Sequence, residues 1–198
     1  MAERRLDYVW YGGRPSIDFV NTRRYRFEAG GSELLREPAD LGRWLEAAGL
    51  VPDRAVVDEA LLARALELRE AIDLALVAVV EGEPLSPEPV AAINAWLASA
   101  AQYPPRLDLD EGVPVYRANA APADAFGALC RIAVDAAEML GSELRTRLRI
   151  CGGVNCSARF IDNSAARRRR WCSMAGCGNR AKASQFRQTA AAKARTGG

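Results

Sequence analysis

The chain has 198 residues, enough for one medium domain and a small one or for a single larger domain, and its 49% hydrophobic and 26% charged content suits a water-soluble globular protein. It contains no histidine, which excludes Ser–His and Cys–His catalysis, histidine general bases and histidine metal ligands. The net charge of +2 conceals two unlike parts: from residue 141 onward thirteen basic groups face only Glu143 and Asp162, giving +11, while the residues before them carry −9. A division of this size points to two regions with different partners, the basic one facing a polyanion.

Along the chain, Tyr8 to Gly13 reads as a short strand entering a turn, and Ile17 to Thr22 is too short for periodicity to choose between strand and helix. Pro38 and Gly49 frame a helix through Trp44 and Leu45. Asp53 is expected to cap a longer helix to about Val80, with Leu61, Leu62, Ala65, Leu68, Ile72, Ala75, Leu76 and Val79 as its buried stripe. Ser86 and Pro87 open another, carrying Val90, Ile93, Trp96 and Leu97. Arg106 to Leu109 and Val113 to Tyr116 alternate around Glu111 and Gly112 as a hairpin. Pro122 is expected to open a helix through Phe126, Leu129, Ile132, Ala133, Ala136 and Met139, with Gly141 as its stop and Cys130 as a buried thiol. The longest apolar stretch, Leu74 to Val80, is far short of the roughly 20 residues of a membrane span, and no apolar run of signal-peptide length precedes Gly13. A cytoplasmic protein without a membrane partner is expected, where cysteines serve metal or redox chemistry rather than disulfides.

Composition, charge sign and cysteine density all change near Gly141 and Ser142. Beyond that point Cys151, Cys156, Cys172 and Cys177 follow the spacing Cys-x4-Cys-x15-Cys-x4-Cys. Two close pairs on separate turns suit one structural Zn²⁺, which prefers four tetrahedral ligands and, when all are thiolates, keeps no open position. An iron–sulfur cluster also takes four cysteines, and spacing alone does not separate the two. Arg159 to Ile161 and Arg169 to Trp171 are expected to pair as a short hairpin, and Ser173 to cap a helix running through Cys177 towards Ala192. So small a piece has few large apolar side chains and needs a staple, so metal binding and folding should be one event.

These residues carry a resemblance. Trp171-Cys172-Ser173-Met174-Ala175-Gly176-Cys177-Gly178-Asn179-Arg180-Ala181-Lys182, with Phe160 to Ser164 and the arginine run before it, resembles the CGNR zinc finger family. Gly12-Gly13-Arg14-Pro15-Ser16-Ile17-Asp18-Phe19-Val20-Asn21-Thr22 resembles the ABATE domain that usually precedes that finger, and Leu68 to Ala71 and Ile93-Asn94 sit where that domain carries similar residues. The resemblance implies an α+β protein: a mainly helical N-terminal domain with a small antiparallel sheet over 1–142, then a treble-clef finger over 143–198 with the four cysteines as ligands. It also implies a bacterial, stress-induced transcription regulator rather than an enzyme. No P-loop, Gly-x-Gly-x-x-Gly or Ser-x-x-Lys pattern argues otherwise.

The expected nucleic-acid surface comprises Arg159, Arg167, Arg168, Arg169, Arg170, Arg180, Lys182 and Arg187 on phosphates, continued by Lys193 and Arg195. Asn179 and Gln185, with Ser184 and Gln188, are positioned along the helix to reach bases, Asn and Gln being suited to adenine. DNA is the expected partner; RNA binding, or a zinc-shaped protein-interaction module, is the alternative. In the N-terminal domain Arg14, Asp18, Asn21, Thr22 and Arg23, with Arg69, form the one compact polar cluster, read either as a pocket for a small effector or as local bracing. That domain is expected to sense such an effector or to form a homodimer.

Overall fold

The computed structural model describes residues 8–28, 31–53, 55–117 and 123–196. Among them the fold is mainly helical, with three two-stranded antiparallel sheets. The elements are α1 (Pro15–Val20), β1 (Arg23–Arg24), β2 (Ser32–Glu33), α2 (Pro38–Ala47), α3 (Glu59–Glu81), α4 (Pro87–Ala100), β3 (Arg106–Asp110), β4 (Val113–Arg117), α5 (Ala125–Leu140), β5 (Leu148–Ile150), β6 (Arg159–Ile161) and α6 (Asn179–Thr196). A 3-10 turn (Glu143–Arg147) precedes β5, and a π-helical turn (Met174–Gly178) precedes α6.

The centre is α3, packed against α1, α2, α4, α5 and β5. Its Leu62, Ala65, Leu68, Ala71, Ile72, Ala75 and Leu76 are buried, close to the stripe expected from helical spacing. They meet Ile17, Phe19, Leu41, Trp44, Leu45, Leu129 and Ile132, all nearly inaccessible. Each such aliphatic or aromatic side chain contributes about 1.5–3 kcal/mol by leaving water. The cap of α3 is Asp58 rather than the expected Asp53: the Asp58 carboxylate accepts the Leu61 N–H at 2.7 Å, one turn ahead of the first buried leucine. Gly82 (φ 74°) ends the helix in the left-handed conformation that a side chain would disfavour. In the same way Asp124 caps α5 by accepting from Gly127, while Pro122 lies outside the described residues. Cys130 is fully buried in α5, and burial pushes its thiol up from the usual value.

The hairpin β3–β4 forms in the expected register, Leu107 opposite Tyr116, but it stands away from the core with Leu107, Leu109, Val113 and Tyr116 exposed. The expected strand at Tyr8 to Gly13 does not form. That segment makes a single ladder-like bond, Ile161 N–H to the Gly12 carbonyl at 2.9 Å, and is anchored by stacking of Trp10 on Trp44. Ile17 to Val20 are helical, in α1.

β6 serves two cores at once. Side chains alternate along a strand, so Phe160 turns to the cysteines while Ile161 joins the main core and Arg159 points to α3. Leu148 on β5 also belongs to the main core. The strand expected at Arg169 to Trp171 is absent; β6 pairs with β5, because Cys151 and Cys156 fold the chain back between those two strands. The hairpin that would complete a treble-clef order therefore does not appear between the first cysteine pair and α6.

Near the N-terminus of α1, Asp18 accepts the Gly12 N–H at 2.8 Å. Burial, opposed by that bond and helped by the charge of Asp135, raises its pKa from 3.8 to about 6. The sign follows: ionised Asp18 is disfavoured in the folded state, so its contribution to stability falls as pH rises from about 4 to about 6. Asp18→Asn keeps the acceptor and removes the titration. Thermal melts across pH should show the variant more stable above pH 6, by on the order of 1 kcal/mol after solvent screening, with the wild-type slope below pH 6 lost.

Candidate metal centre and nucleic-acid surface

The four cysteine sulfurs all lie within 4.8 Å of one another. Cys151 and Cys156 flank a turn in which the Cys156 N–H meets the Gly153 carbonyl at 3.0 Å. A Cβ on Gly153 would stand 3.1 Å from the Cys177 sulfur, so glycine permits the two pairs to close on each other. On the other side Ser173 accepts the Gly176 N–H, and Gly178 N–H bonds back to the Ser173 carbonyl at 3.0 Å, the wide spacing of a π turn. That turn brings Cys177 within 3.7 Å of Cys172, and Cys172 lies 3.9 Å from Cys156.

These separations fit zinc. With Zn–S near 2.3 Å, the sulfurs of a regular tetrahedron stand ~3.8 Å apart. Four sulfurs this close also compete for negative charge. Hydrogen bonds from Cys156 and Cys172 hold Cys151 far below the usual thiol range, and the same contacts with Cys151 push Cys156 up to about 11 and raise Cys172. A divalent cation is what such a donor set requires to carry four thiolates. Outer donors are in place: the Cys172 N–H reaches the Cys151 sulfur at 3.3 Å, and the Arg180 guanidinium reaches Cys177 at 2.9 Å. A metal here supplies a crosslink between the β5–β6 turn and the start of α6, all four positions being taken by protein.

Residues 13–143 match the model of the ABATE family, described as "Putative stress-induced transcription regulator". The chain belongs to the ABATE family. Residues 147–190 match the CGNR zinc finger. No curated protein matches the chain. Both families are of regulatory or zinc-finger type, and together with the sulfur geometry they make the cysteine cluster the seat of one structural zinc. No described helix is long and apolar enough to cross a membrane.

The CGNR finger is fastened to the ABATE region through Arg159, which is therefore corrected: it is buried and withdrawn from the nucleic-acid surface. Its Nε lies 2.7 Å from Asp73 Oδ1, and burial, partly offset by the Asp73 charge, lowers its pKa. Its backbone is held both ways by Asn21, whose Nδ2 donates to the Arg159 carbonyl at 2.9 Å and whose Oδ1 accepts the Arg159 N–H at 2.8 Å. Arg26 joins Asp73 at 3.1 Å and Glu70 at 2.6 Å, and its N–H donates to the Ser157 hydroxyl. Asp73 is the residue that sequence reading missed; its signal was an acid four residues after Arg69 on the otherwise apolar face of α3.

Arg169 is half-buried and engaged within the finger. Its guanidinium donates to the carbonyls of Trp171 and Cys172 and lies 4.8 Å over the Phe160 ring, while its N–H goes to Asp162. It braces the finger from inside. Arg167, Arg168 and Arg170 are exposed on the loop before Cys172, and Asn179, Arg180, Lys182, Gln185, Arg187 and Gln188 are exposed on α6. Ser184 is half-buried, and the side chains of Lys193 and Arg195 lie outside the described residues.

The polar cluster read as a possible effector pocket is mostly engaged internally. Arg14 pairs with Asp135 at 2.7 Å; Asp18 holds Gly12. Thr22 donates to the Phe19 carbonyl and accepts from Arg69, which is buried against Glu33 at 2.6 Å. Those four side chains, and Asn21, serve the bracing reading. Arg23 alone of the set is exposed, 3.4 Å from Glu70.

Two outcomes test this centre. One zinc per chain should be found by elemental analysis, and a strong chelator should unfold the finger, seen as loss of melting cooperativity that added zinc restores. Asp73→Ala leaves Arg159 buried without its carboxylate; denaturant titration should show a loss of about 3–5 kcal/mol, and a loss below 1 kcal/mol would refute the fastening role.

Proposed function

We propose that this chain is a DNA-binding transcription regulator whose finger contacts the duplex and whose ABATE region receives a small-molecule signal. The observation that carries it is the exposure of Arg167, Arg168 and Arg170 on a loop that ends at Cys172, beside a helix that exposes Arg180, Lys182 and Arg187 and begins two residues after Cys177. The two cysteines are 3.7 Å apart at their sulfurs, so the cationic loop and helix leave one rigid point. Guanidinium groups fixed in this way neutralise successive phosphates and release counterions on binding. Asn179 and Gln185 on α6 supply the amides that read adenine edges, since an α-helix fits a major groove.

Fluorescence anisotropy with a mixed-sequence duplex tests it. The wild type should bind with a steep salt dependence. Replacing Arg167, Arg168 and Arg170 together by alanine should leave zinc content intact and lower the slope of log K against log salt by about 3. Unchanged affinity, or no binding at low salt, sinks the reading. Tighter binding to a matched RNA than to DNA would reassign the surface to RNA.

A further inference from the structure

The seam between the ABATE region and the finger opens on one side into a cleft of about 420 Å³. Arg23, Arg24 and Tyr25 wall it from the ABATE side, and Val154, Ser173 and Arg180 from the finger. Cys156, Cys172 and Cys177 also line it, yet the space is not a metal socket: an ion-sized void is about that of one water, roughly 30 Å³. Its volume is that of a small-molecule site.

Charge decides what it can hold. Three arginines line the cleft and no carboxylate does, among the described residues, and their charge exceeds the formal −2 of a zinc ion on four thiolates beside it. Arg23 shares Glu70 with Arg26 and Arg69, and at 3.4 Å it is the most distant of the three. Its side chain is 45% exposed. Arg180 places one N–H on Cys177, and a guanidinium has five. Exposed Tyr11 and Tyr25 and the rim residue Val154 supply apolar flanks. Tyr25, a non-glycine residue with positive φ (53°), also lines it, a conformation that costs an aromatic residue energy and is held by its surroundings.

We propose that this cleft binds a small organic anion, a carboxylate or phosphate carried on a flat apolar body. The guanidiniums take the anionic oxygens by charge-assisted hydrogen bonds, and the tyrosines flank the body. The inference rests on the signal-receiving half of the proposed function and is independent of DNA binding.

Calorimetric titration of the zinc-loaded full chain tests it, with benzoate and phenyl phosphate as probes and benzyl alcohol as the uncharged control. At least one anion should saturate at one per chain and bind about tenfold or more tighter than the alcohol. Arg23→Glu should weaken the anion about tenfold or more, whereas Arg168→Glu, the same charge change on the loop outside the cleft, should leave it within about twofold. Should Arg23→Glu fail to fold, Val154→Trp at the exposed mouth should block binding instead. Absence of saturation with both anions, or equal loss from Arg23→Glu and Arg168→Glu, overturns the proposal. Duplex affinity measured on the same samples separates the two readings: anion binding without DNA binding sinks the regulator reading alone, and DNA binding without anion binding sinks this one alone.

Discussion

The contact on which the arrangement of this molecule depends is the grip of the ABATE region on Arg159. The Asn21 amide takes its backbone in both directions, Asp73 takes its side chain, and two residues on, Ile161 N–H bonds to the Gly12 carbonyl. A buried guanidinium is tolerated only with a carboxylate beside it, and removing either partner leaves a desolvated charge that costs several kcal/mol. The pair adds little net stability over an apolar contact of the same shape; what it fixes is the register of β6 against α1 and α3. Zinc then fixes α6 relative to β6. The orientation of the last helix is thus set by two successive clamps, one ionic and one metallic.

The same principle sorts the arginines of the basic half. Their density reads in the sequence as one surface, but burial divides them by task. Arg159 and Arg169 face inward, holding the seam and the loop before Cys172; Arg180 stands between the tasks, with one N–H on a sulfur and the rest towards the cleft and solvent. Arg167, Arg168 and Arg170 carry their charge into water. A run of like charges is therefore no guide to how many act at a distance. Asp162 shows why: a single buried carboxylate accepts the N–H groups of Ser164 and Arg169 and so turns one member of the run towards the protein.

What was legible in the sequence was local. Cysteine spacing gave the metal cluster because ligand geometry constrains neighbours a few residues apart, and the helices at 38–47 and 87–100 announced themselves by Pro at the first turn. The cap of α3 was misplaced because Asp53 and Asp58 are equally good acceptors and only the start of close packing chooses between them. The partner of β6 was misjudged for a related reason: either neighbour offers strand-forming residues, and the pairing is settled by the turn that the first two ligands impose. The pairing of Asp73 with Arg159 and the cleft were not visible, since both arise where segments far apart in sequence meet.

That distance has a consequence for how the chain assembles. Asn21 and Arg159 are 138 positions apart, so the loop their contact closes spans most of the protein. Closure entropy grows slowly with loop length, but the contact cannot form before the partner has been synthesised. Until residue 161 emerges, Asp73, Asn21 and Gly12 wait without the strand that satisfies them, and the hydrophobic places of Leu148 and Ile161 stand open. The boundary drawn by composition is thus crossed by contacts that both sides need. The last third of the chain completes the first domain before it presents anything of its own.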